Sequence, residues 1–322
     1  MKNFFYIVLF YFLSFSTASA HVKWFVDSED VIEQSHKMTP FFSINSKEVI
    51  IWILITLVAV IVFGFLDKII KAPKKLVQFG IDHEYSINRV AQIILGLFLI
   101  SVSFIWKIII VPDIQITNTI TFILSIIQAI IGLMYILNFY PRIASIILLG
   151  FSIGVGILNG PLAFSENLIL VSLAIYFLIK NSPVDSKIFK LNKYSVEFVR
   201  IGTGVSLIVL AFSEKLMYPE LSLAFLQIHD WNFMQPLFFW FNDNLFVLSV
   251  GFAEIIFGLL FIMGYLTRIT TISIAIFFAL SVTTMFIQFG AWEVEDLVVY
   301  SAAIILLAFG YGSTKFFKKD NS

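Results

Sequence analysis

Long apolar runs, separated by short polar segments, dominate the sequence. A transmembrane helix needs about 20 consecutive apolar residues, and charged residues inside it are costly. A membrane β-barrel would instead show short segments of alternating hydrophobicity. The pattern therefore predicts an all-α, polytopic helical membrane protein with about nine spans after signal cleavage. The nine runs lie at about 49–66, 89–111, 117–138, 142–160, 164–180, 198–217, 245–263, 268–289 and 294–311.

Residues 1–20 form a separate pattern. Lys2 is followed by the apolar stretch 4–15 and then by the small residues at 18–20, which read Ala-Ser-Ala. This order of a positive charge, a short apolar stretch and small residues is typical of a secretory signal peptide. The alternative is an uncleaved first transmembrane helix, for which the apolar stretch is short. We expect cleavage, with a mature chain that begins at His21.

Positive charges are distributed unevenly between the loops. The segments 67–89 and 181–200 and the tail at 313–322 carry most of the lysine and arginine residues, whereas the loops on the opposite side are acidic. Short cytoplasmic loops are enriched in lysine and arginine. We therefore expect a bacterial-type inner (plasma) membrane protein with a periplasmic N-terminal segment at 21–48 and a cytoplasmic C-terminus.

The composition excludes several classes of function. Hydrophobic residues make up 59% of the chain and charged residues 13%, which excludes a soluble domain, and a balance of 21 basic and 21 acidic residues provides no basic surface for nucleic acid. The chain has no cysteine, so it cannot form an iron–sulfur cluster or a thiolate metal site. Its four histidines lie outside the long apolar runs, so we expect no haem between the spans.

The sequence contains an internal repeat. When Gln128 is aligned with Glu254, Arg142 falls on Arg268 without a gap, and the apolar positions around the first pair match with a one-residue slip. The alternative is a chance similarity between two apolar helices. A fixed spacing between polar landmarks argues against chance and favours a duplicated unit.

Each copy of the repeat contains four predicted spans. The first copy covers 89–180 and opens with Arg89, and the second covers 198–312 and opens with Arg200. An even number of spans gives both copies the same orientation across the membrane, and parallel repeats of this kind form sites at their interface. The predicted fold is thus one N-terminal span at 49–66, followed by two tandem parallel four-helix units.

Motifs in the second copy resemble the DoxX/DoxD family of small four-helix membrane proteins. They are Glu214-Lys215-Leu216, the stretch 251–268 with its glycine-flanked glutamate and its Gly-x-x-Thr-Arg turn, and Gly-Tyr-Gly at 310–312. The first copy looks like a diverged second example, in which Gln128 replaces the glutamate. Some members of that family are similar to membrane subunits of thiosulfate:quinone oxidoreductase. The resemblance therefore implies a quinone as cofactor and a redox protein as partner.

Glu254 is the first candidate catalytic residue because it lies near the middle of a predicted span. A carboxylate there must be paired, protonated or in contact with a wet cavity. It can exchange the protons of quinone chemistry, and the alternative role is a structural ion pair between helices. Lys215 and Glu214, the other two candidates, end the preceding span together. Neighbours on a helix do not share a face, so we expect one to face Glu254 and the other to reach the outer interface.

Three further residues are candidates for cofactor binding. Lys107 is the counterpart of Lys215 in the first copy, and a cation near the outer interface can bind a quinone oxygen or an anion such as thiosulfate. Gln128 is the counterpart of Glu254, and Arg268 closes the turn after it. For Lys107 the alternative is that its ammonium group simply extends to the interface. For Arg268 it is a topology anchor or a charge at a helix C-terminus.

Histidines on the predicted outer side are candidate metal ligands. After cleavage, the free amine and the imidazole of His21 can both bind a copper ion, and His36 and His229 lie on the same predicted side. No close ligand spacing supports this copper site. The alternative is that a histidine follows the cleavage site without a role in metal binding.

The predicted outer loop at 218–244 is rich in aromatic residues. Such density is typical of a segment that lies at the membrane interface. The alternative interpretation is a lid over the entry of a lipid-soluble ligand.

Three functions are compatible with these features. We favour a quinone-linked membrane subunit of an oxidoreductase complex. The alternatives are a non-catalytic scaffold for envelope proteins and a transporter of a small anion or amphiphile. The expected partners are the lipid bilayer and either a redox protein or an envelope protein. The chain alone carries no motif that identifies it as an enzyme.

Overall fold

The computed structural model describes residues 46–70, 73–217, 219–229, 231–289 and 296–310. Most of these residues are helical, and one short antiparallel hairpin lies at 108–115. The helices are α1 Lys47–Ile69, α2 Lys74–Asp82, α3 Glu84–Ser101, α4 Thr119–Leu137, α5 Pro141–Glu166, α6 Leu168–Lys180, α7 Ser195–Ala211, α8 Pro219–His229, α9 Asp243–Met263, α10 Thr267–Phe289 and α11 Asp296–Phe309. The strands are β1 Ile108–Ile109 and β2 Val111–Gln115, and shorter helical pieces are a 3-10 helix at Phe189–Tyr194 and two π-helical segments, Val102–Trp106 and Phe212–Leu216.

The helices of the described residues confirm the general prediction of a multi-pass, helical membrane protein. Six are long and apolar enough to cross a bilayer, and a seventh span results if the bent pair Gly160–Glu166 and Leu168–Lys180 is counted as one. Two shorter apolar stretches, Thr267–Ala279 in α10 and Asp296–Phe309 in α11, overlap the predicted eighth and ninth spans. The count of nine spans therefore stays a prediction. The six helices are Lys47–Ile69, Glu84–Ile105, Thr119–Leu137, Pro141–Leu158, Phe189–Leu216 and Asp243–Met263.

The break between the predicted fourth and fifth spans has a local cause. Gly160 has φ 89° and ψ 174°, a backbone conformation that is open to glycine and strained for other residues. Pro161 follows it and has no N–H to continue the helical ladder. A further bend of 60° separates the piece that follows, Gly160–Glu166, from α6.

The described residues form two packing units. The smaller packing unit contains the described parts of 1–62, 207–259 and 273–292, and the larger packing unit contains those of 63–206, 260–272 and 293–322. In the smaller packing unit, one apolar cluster joins α8, the loop at 231–242 and the start of α9. A second cluster there joins Val49 of α1 to Phe252 of α9, and Trp52 stacks on Phe252 with ring centroids 6.1 Å apart.

Two glycines bring α3 and α4 into close contact in the larger packing unit. A Cβ atom added at Gly96 would lie 2.5 Å from the carbonyl oxygen of Gly132, and one added at Gly132 would lie 2.7 Å from that of Gly96. By contrast, a Cβ atom at Gly150 or Gly154 of α5 meets nothing within 4 Å. The same residue type thus permits backbone contact at one place and lines open space at the other.

We expect Gly132→Ala to lower the free energy of unfolding by about 1–3 kcal/mol, because the added methyl group overpacks the α3–α4 contact. Gly154→Ala is the matched control and should change it by at most about 1 kcal/mol, since its Cβ has room. The measurement is the unfolding midpoint of both variants in mild detergent. Equal midpoints would show that the close contact at Gly132 does not limit stability.

Candidate functional site

Three charged side chains meet inside the smaller packing unit. The ammonium Nζ of Lys215 lies 3.2 Å from Oε2 of Glu254 and 3.7 Å from Oε2 of Glu214. The side chains of Lys215 and Glu214 are 1% exposed and that of Glu254 is 8% exposed. The structure therefore brings all three predicted catalytic residues together. We call this group the buried charge cluster.

The backbone explains how two adjacent residues both enter the buried charge cluster. Glu214 and Lys215 lie in the π-helical segment Phe212–Leu216, and the amide of Met217 donates to the carbonyl of Phe212, 2.8 Å away. This wider turn differs from the regular helix that the sequence predicts, and such single π turns are frequent at functional sites. The expectation that one of the two residues reaches the outer interface is wrong, because both are buried.

Neighbouring elements close over that π-helical segment. The hydroxyl of Ser222 in α8 donates to the carbonyl of Glu214 at 2.9 Å, so α8 covers this part of the chain. On the α9 side, a Cβ atom at Gly251 would lie 3.0 Å from Leu216 and 3.3 Å from the Cβ of Lys215. The glycine three residues before Glu254 therefore allows α9 to approach the lysine closely.

A small cavity adjoins Glu254. Its volume is about 20 Å³, which is room for a single water molecule. Of the described residues that line it, Glu254 is the only charged one, and the others are Leu207, Val250, Ala253, Phe257, Ile274, Phe277 and Phe278. One carboxylate thus borders a small, apolar and largely aromatic space.

A larger cavity lies in the larger packing unit. It measures about 580 Å³, and α4, α5 and the hairpin at 108–115 line it. Its described lining contains no charged residue, and Asn118 and Thr121 supply its polar atoms at the start of α4. The side chain of Asn118 already accepts a hydrogen bond from the amide of Thr121 at 3.0 Å. This cavity is therefore suited to an apolar ligand or a lipid chain, and none of the predicted site residues lines it.

The candidate cofactor-binding residues are not assembled into one site among the described residues. Lys107 is exposed and has a left-handed backbone with φ 55°. Gln128 is fully buried, and its Nε2 donates to the carbonyl of Leu99 at 3.2 Å and to the hydroxyl of Ser103 at 2.9 Å. Arg268 donates to backbone carbonyls near the end of α11. A cofactor-binding role for the three residues stays a prediction.

Arginine side chains bind the last carbonyls of neighbouring helices at three places in the larger packing unit. Arg268 donates to the carbonyls of Leu307 and Ala308 at 2.8 and 2.7 Å, near the end of α11. Helix C-termini leave carbonyl groups without partners inside the helix, and a positive charge there is favourable. The contacts of Arg268 thus agree with the helix C-terminal alternative.

Arg89 and Arg200 make the same kind of contact. Arg89 donates to the carbonyls of Tyr135 and Ile136 at 3.0 and 2.9 Å, near the end of α4. Arg200 donates to those of Phe261 and Ile262 at 2.5 and 3.3 Å, near the end of α9. From the sequence, both arginines were predicted only as landmarks of the repeat. Their matching positions in the two repeat copies were the available signal for this role.

The turns that follow α4 and α9 also correspond. Asn138 and Gly264 have φ values of 55° and 74°, and Tyr140 and Leu266 have φ values of 44° and 45°. These pairs, and the carbonyls bound by Arg89 and Arg200, are equivalent in the ungapped alignment that places Gln128 on Glu254. The corresponding backbone geometry therefore follows the sequence repeat.

The predicted copper ligands are largely beyond what the structure describes. His21 and His36 lie outside the described residues, and His229 is the last residue of α8. Within the described part of the chain, no group of three histidine, aspartate or glutamate side chains is arranged to hold a metal ion. The copper site stays a prediction.

No family model, curated protein or solved structure matches this chain. The resemblance to the DoxX/DoxD family therefore rests on the motif residues alone.

Proposed function

We propose that this chain is a membrane subunit of a quinone-linked oxidoreductase complex and that its buried charge cluster exchanges protons. The observation that carries the proposal is one buried ammonium group, Lys215, between the carboxylates of Glu254 and Glu214. Glu254 is the carboxylate of this group that borders the small apolar cavity, and a charged carboxylate is costly in such surroundings. A carboxylate held there beside an ammonium group is suited to take up and release a proton.

The space beside Glu254 limits what this site does in the described conformation. A cavity of about 20 Å³ accepts a water molecule and does not fit a quinone ring. The aromatic side chains of Phe257, Phe277 and Phe278 line it. We therefore assign the quinone no position and restrict the role of the cluster to proton exchange. The redox part of the proposal rests on the resemblance of the motifs and on a partner redox protein that supplies the electrons.

We further propose that two tandem four-helix units, at 89–180 and 198–312, follow the N-terminal span and share one orientation across the membrane. The corresponding contacts of Arg89 and Arg200, and the matching turns after α4 and α9, support a duplicated unit. The distribution of positive charge supports a cytoplasmic C-terminus and an inner-membrane location. Gln128 is an amide that donates hydrogen bonds, so only the second copy carries the carboxylate needed for proton exchange.

A non-catalytic scaffold is the second candidate function. The small size of the cavity beside Glu254 favours it, because a purely structural ion pair needs no room for a ligand. In this alternative Lys215 ties the π-helical segment Phe212–Leu216 to α9, and the protein acts by holding other envelope proteins.

Quinone content separates the two candidates. We expect wild-type protein, purified in mild detergent and extracted with organic solvent, to contain a stoichiometric amount of quinone. Infrared spectra recorded across a pH series should show a protonated carboxyl band that Glu254→Gln removes, because the amide cannot exchange a proton. Glu220→Gln in α8 is the matched control and should retain this band. Folded wild-type protein without quinone would overturn the redox proposal and favour the scaffold, and a carboxyl band unchanged in Glu254→Gln would exclude Glu254 as the proton-exchanging residue.

A further inference from the structure

The loop that connects α8 to α9 presents an unusual apolar surface. Residues 231–242 contain no charged residue. Four consecutive large side chains in it are exposed, with exposed fractions of 71% for Leu237, 43% for Phe238, 89% for Phe239 and 58% for Trp240. We call these four residues the aromatic tip.

Hydrogen bonds fix the base of this loop. Asn232 is buried, and its Nδ2 donates to the carbonyl of Phe241 at 2.9 Å and to Oδ1 of Asp243 at 2.8 Å. Its Oδ1 accepts from the amide of Gln235 at 3.2 Å. The amide of Phe238 donates to the carbonyl of Met234 at 2.8 Å. The aromatic tip is therefore held by a defined backbone.

Aromatic packing fixes the same base from below. Trp231 is buried against Phe225 of α8, with ring centroids 5.3 Å apart, and Phe241 is buried near Phe246 of α9 at 6.4 Å. The loop thus buries two of its aromatic residues in the core of the smaller packing unit, and the same backbone directs the aromatic tip outward. A rigid base that exposes large apolar side chains indicates a surface meant to be covered.

The position of the loop indicates what covers the aromatic tip. It ends at Asp243, the first residue of α9, and α9 is one of the helices long and apolar enough to cross the bilayer. The edge of the bilayer therefore lies beside the aromatic tip. Tryptophan is enriched at this interface, where its ring contacts both acyl chains and polar head groups. Because residues 231–242 carry no charge, their insertion into the bilayer avoids the free-energy cost of burying a charged side chain in lipid.

We propose that the aromatic tip is inserted into the interfacial layer of the bilayer, at the end of α9 that carries Asp243. Its occupant is the lipid surface itself. The insertion anchors α8, because Phe225 of α8 packs on the base of the loop. Through Ser222, α8 also contacts the backbone of Glu214. Insertion of the aromatic tip therefore holds α8 in place over the buried charge cluster. This inference is independent of the proposed redox function.

The lack of native cysteine makes a direct test possible, because a single introduced cysteine is labelled without background. Phe239→Cys is labelled with a nitroxide, and the protein is placed in phospholipid vesicles. Ile153→Cys, 54% exposed on α5 within a candidate span, is the bilayer reference. Val184→Cys, 72% exposed in the polar segment after α6, is the water reference. Collision rates of each label with oxygen, which concentrates in lipid, and with a water-soluble nickel chelate are then measured.

We expect the ratio of oxygen to nickel collisions at position 239 to be several-fold higher than at position 184 and to approach that at position 153. A ratio equal to that at position 184 would overturn the proposal, because the aromatic tip would then lie in water. Low collision rates with both reagents would also overturn it, since a protein surface would then cover the tip. Folding is not at risk in Phe239→Cys, because this side chain is almost fully exposed.

Discussion

Lys215→Met is expected to lower the free energy of unfolding by about 3–5 kcal/mol, the typical cost of removing one partner from a buried ion pair. Methionine matches the length of the lysine stem, so packing is largely kept and the change removes mainly the charge. Glu254 and Glu214 then remain buried without the ammonium group that lies 3.2 and 3.7 Å from them. The measurement is the unfolding midpoint in mild detergent, by titration with a denaturing detergent.

Lys180→Met is the matched control, because it makes the same substitution in a more exposed pair. Nζ of Lys180 lies 2.7 Å from Oε1 of Glu84, with side chains that are 15% and 47% exposed. Partly exposed pairs contribute about 0–1 kcal/mol, so this variant should unfold close to the wild type. If Lys215→Met unfolded at the same point as Lys180→Met, burial of the ammonium group would not matter for stability.

The double variant Lys215→Met/Glu254→Gln tests whether Glu254 is the main partner. Removal of its charge should restore part of the stability lost in Lys215→Met, because one of the two carboxylates that lost the ammonium group is then replaced by a neutral amide. A double variant as unstable as the single one would contradict this pairing. Together with the infrared measurement, the series separates a structural role of the cluster from proton exchange.

The hydrophobic pattern alone located several helices well. The predicted spans at 117–138 and 245–263 correspond to α4 at Thr119–Leu137 and α9 at Asp243–Met263. Long apolar runs leave few other structures for the chain, and local signals such as the cap at Asn118 mark their ends. The three members of the buried charge cluster were also predictable, because a charge inside a span needs a partner and few are available.

Other features depended on contacts that one sequence does not reveal. Gly132 and Gly154 are both glycines in apolar helices, yet only Gly132 has another backbone close to it. Since lipid and protein core are equally apolar, the pattern does not distinguish a packed face from a lipid-facing one. The joint burial of Glu214 and Lys215 depends on a π-helical turn, which leaves no periodic signal in five residues.

Arg200→Gln is expected to lower the free energy of unfolding by about 2–4 kcal/mol, because charge-assisted hydrogen bonds contribute about 1.5–3 kcal/mol each and the hydrogen bond to the carbonyl of Phe261 is buried. Arg200 is 3% exposed, and its Nη1 donates to the carbonyls of Phe261 and Ile262. The shorter amide of glutamine does not reach them. Lys187→Gln, at an exposed position, should stay within about 0.5 kcal/mol of the wild type.

The corresponding variant Arg89→Gln extends this prediction to the repeat. Arg89 donates to the carbonyls of Tyr135 and Ile136 in the same register, but it is only partly buried. We therefore expect a loss in the same direction and of smaller size, measured by the same unfolding titration. A loss in Arg200→Gln without any in Arg89→Gln would show that the two contacts are not equivalent. In that case Arg89 would not contribute to stability although its contacts match those of Arg200. The tandem-unit proposal would then rest on the matching turns alone.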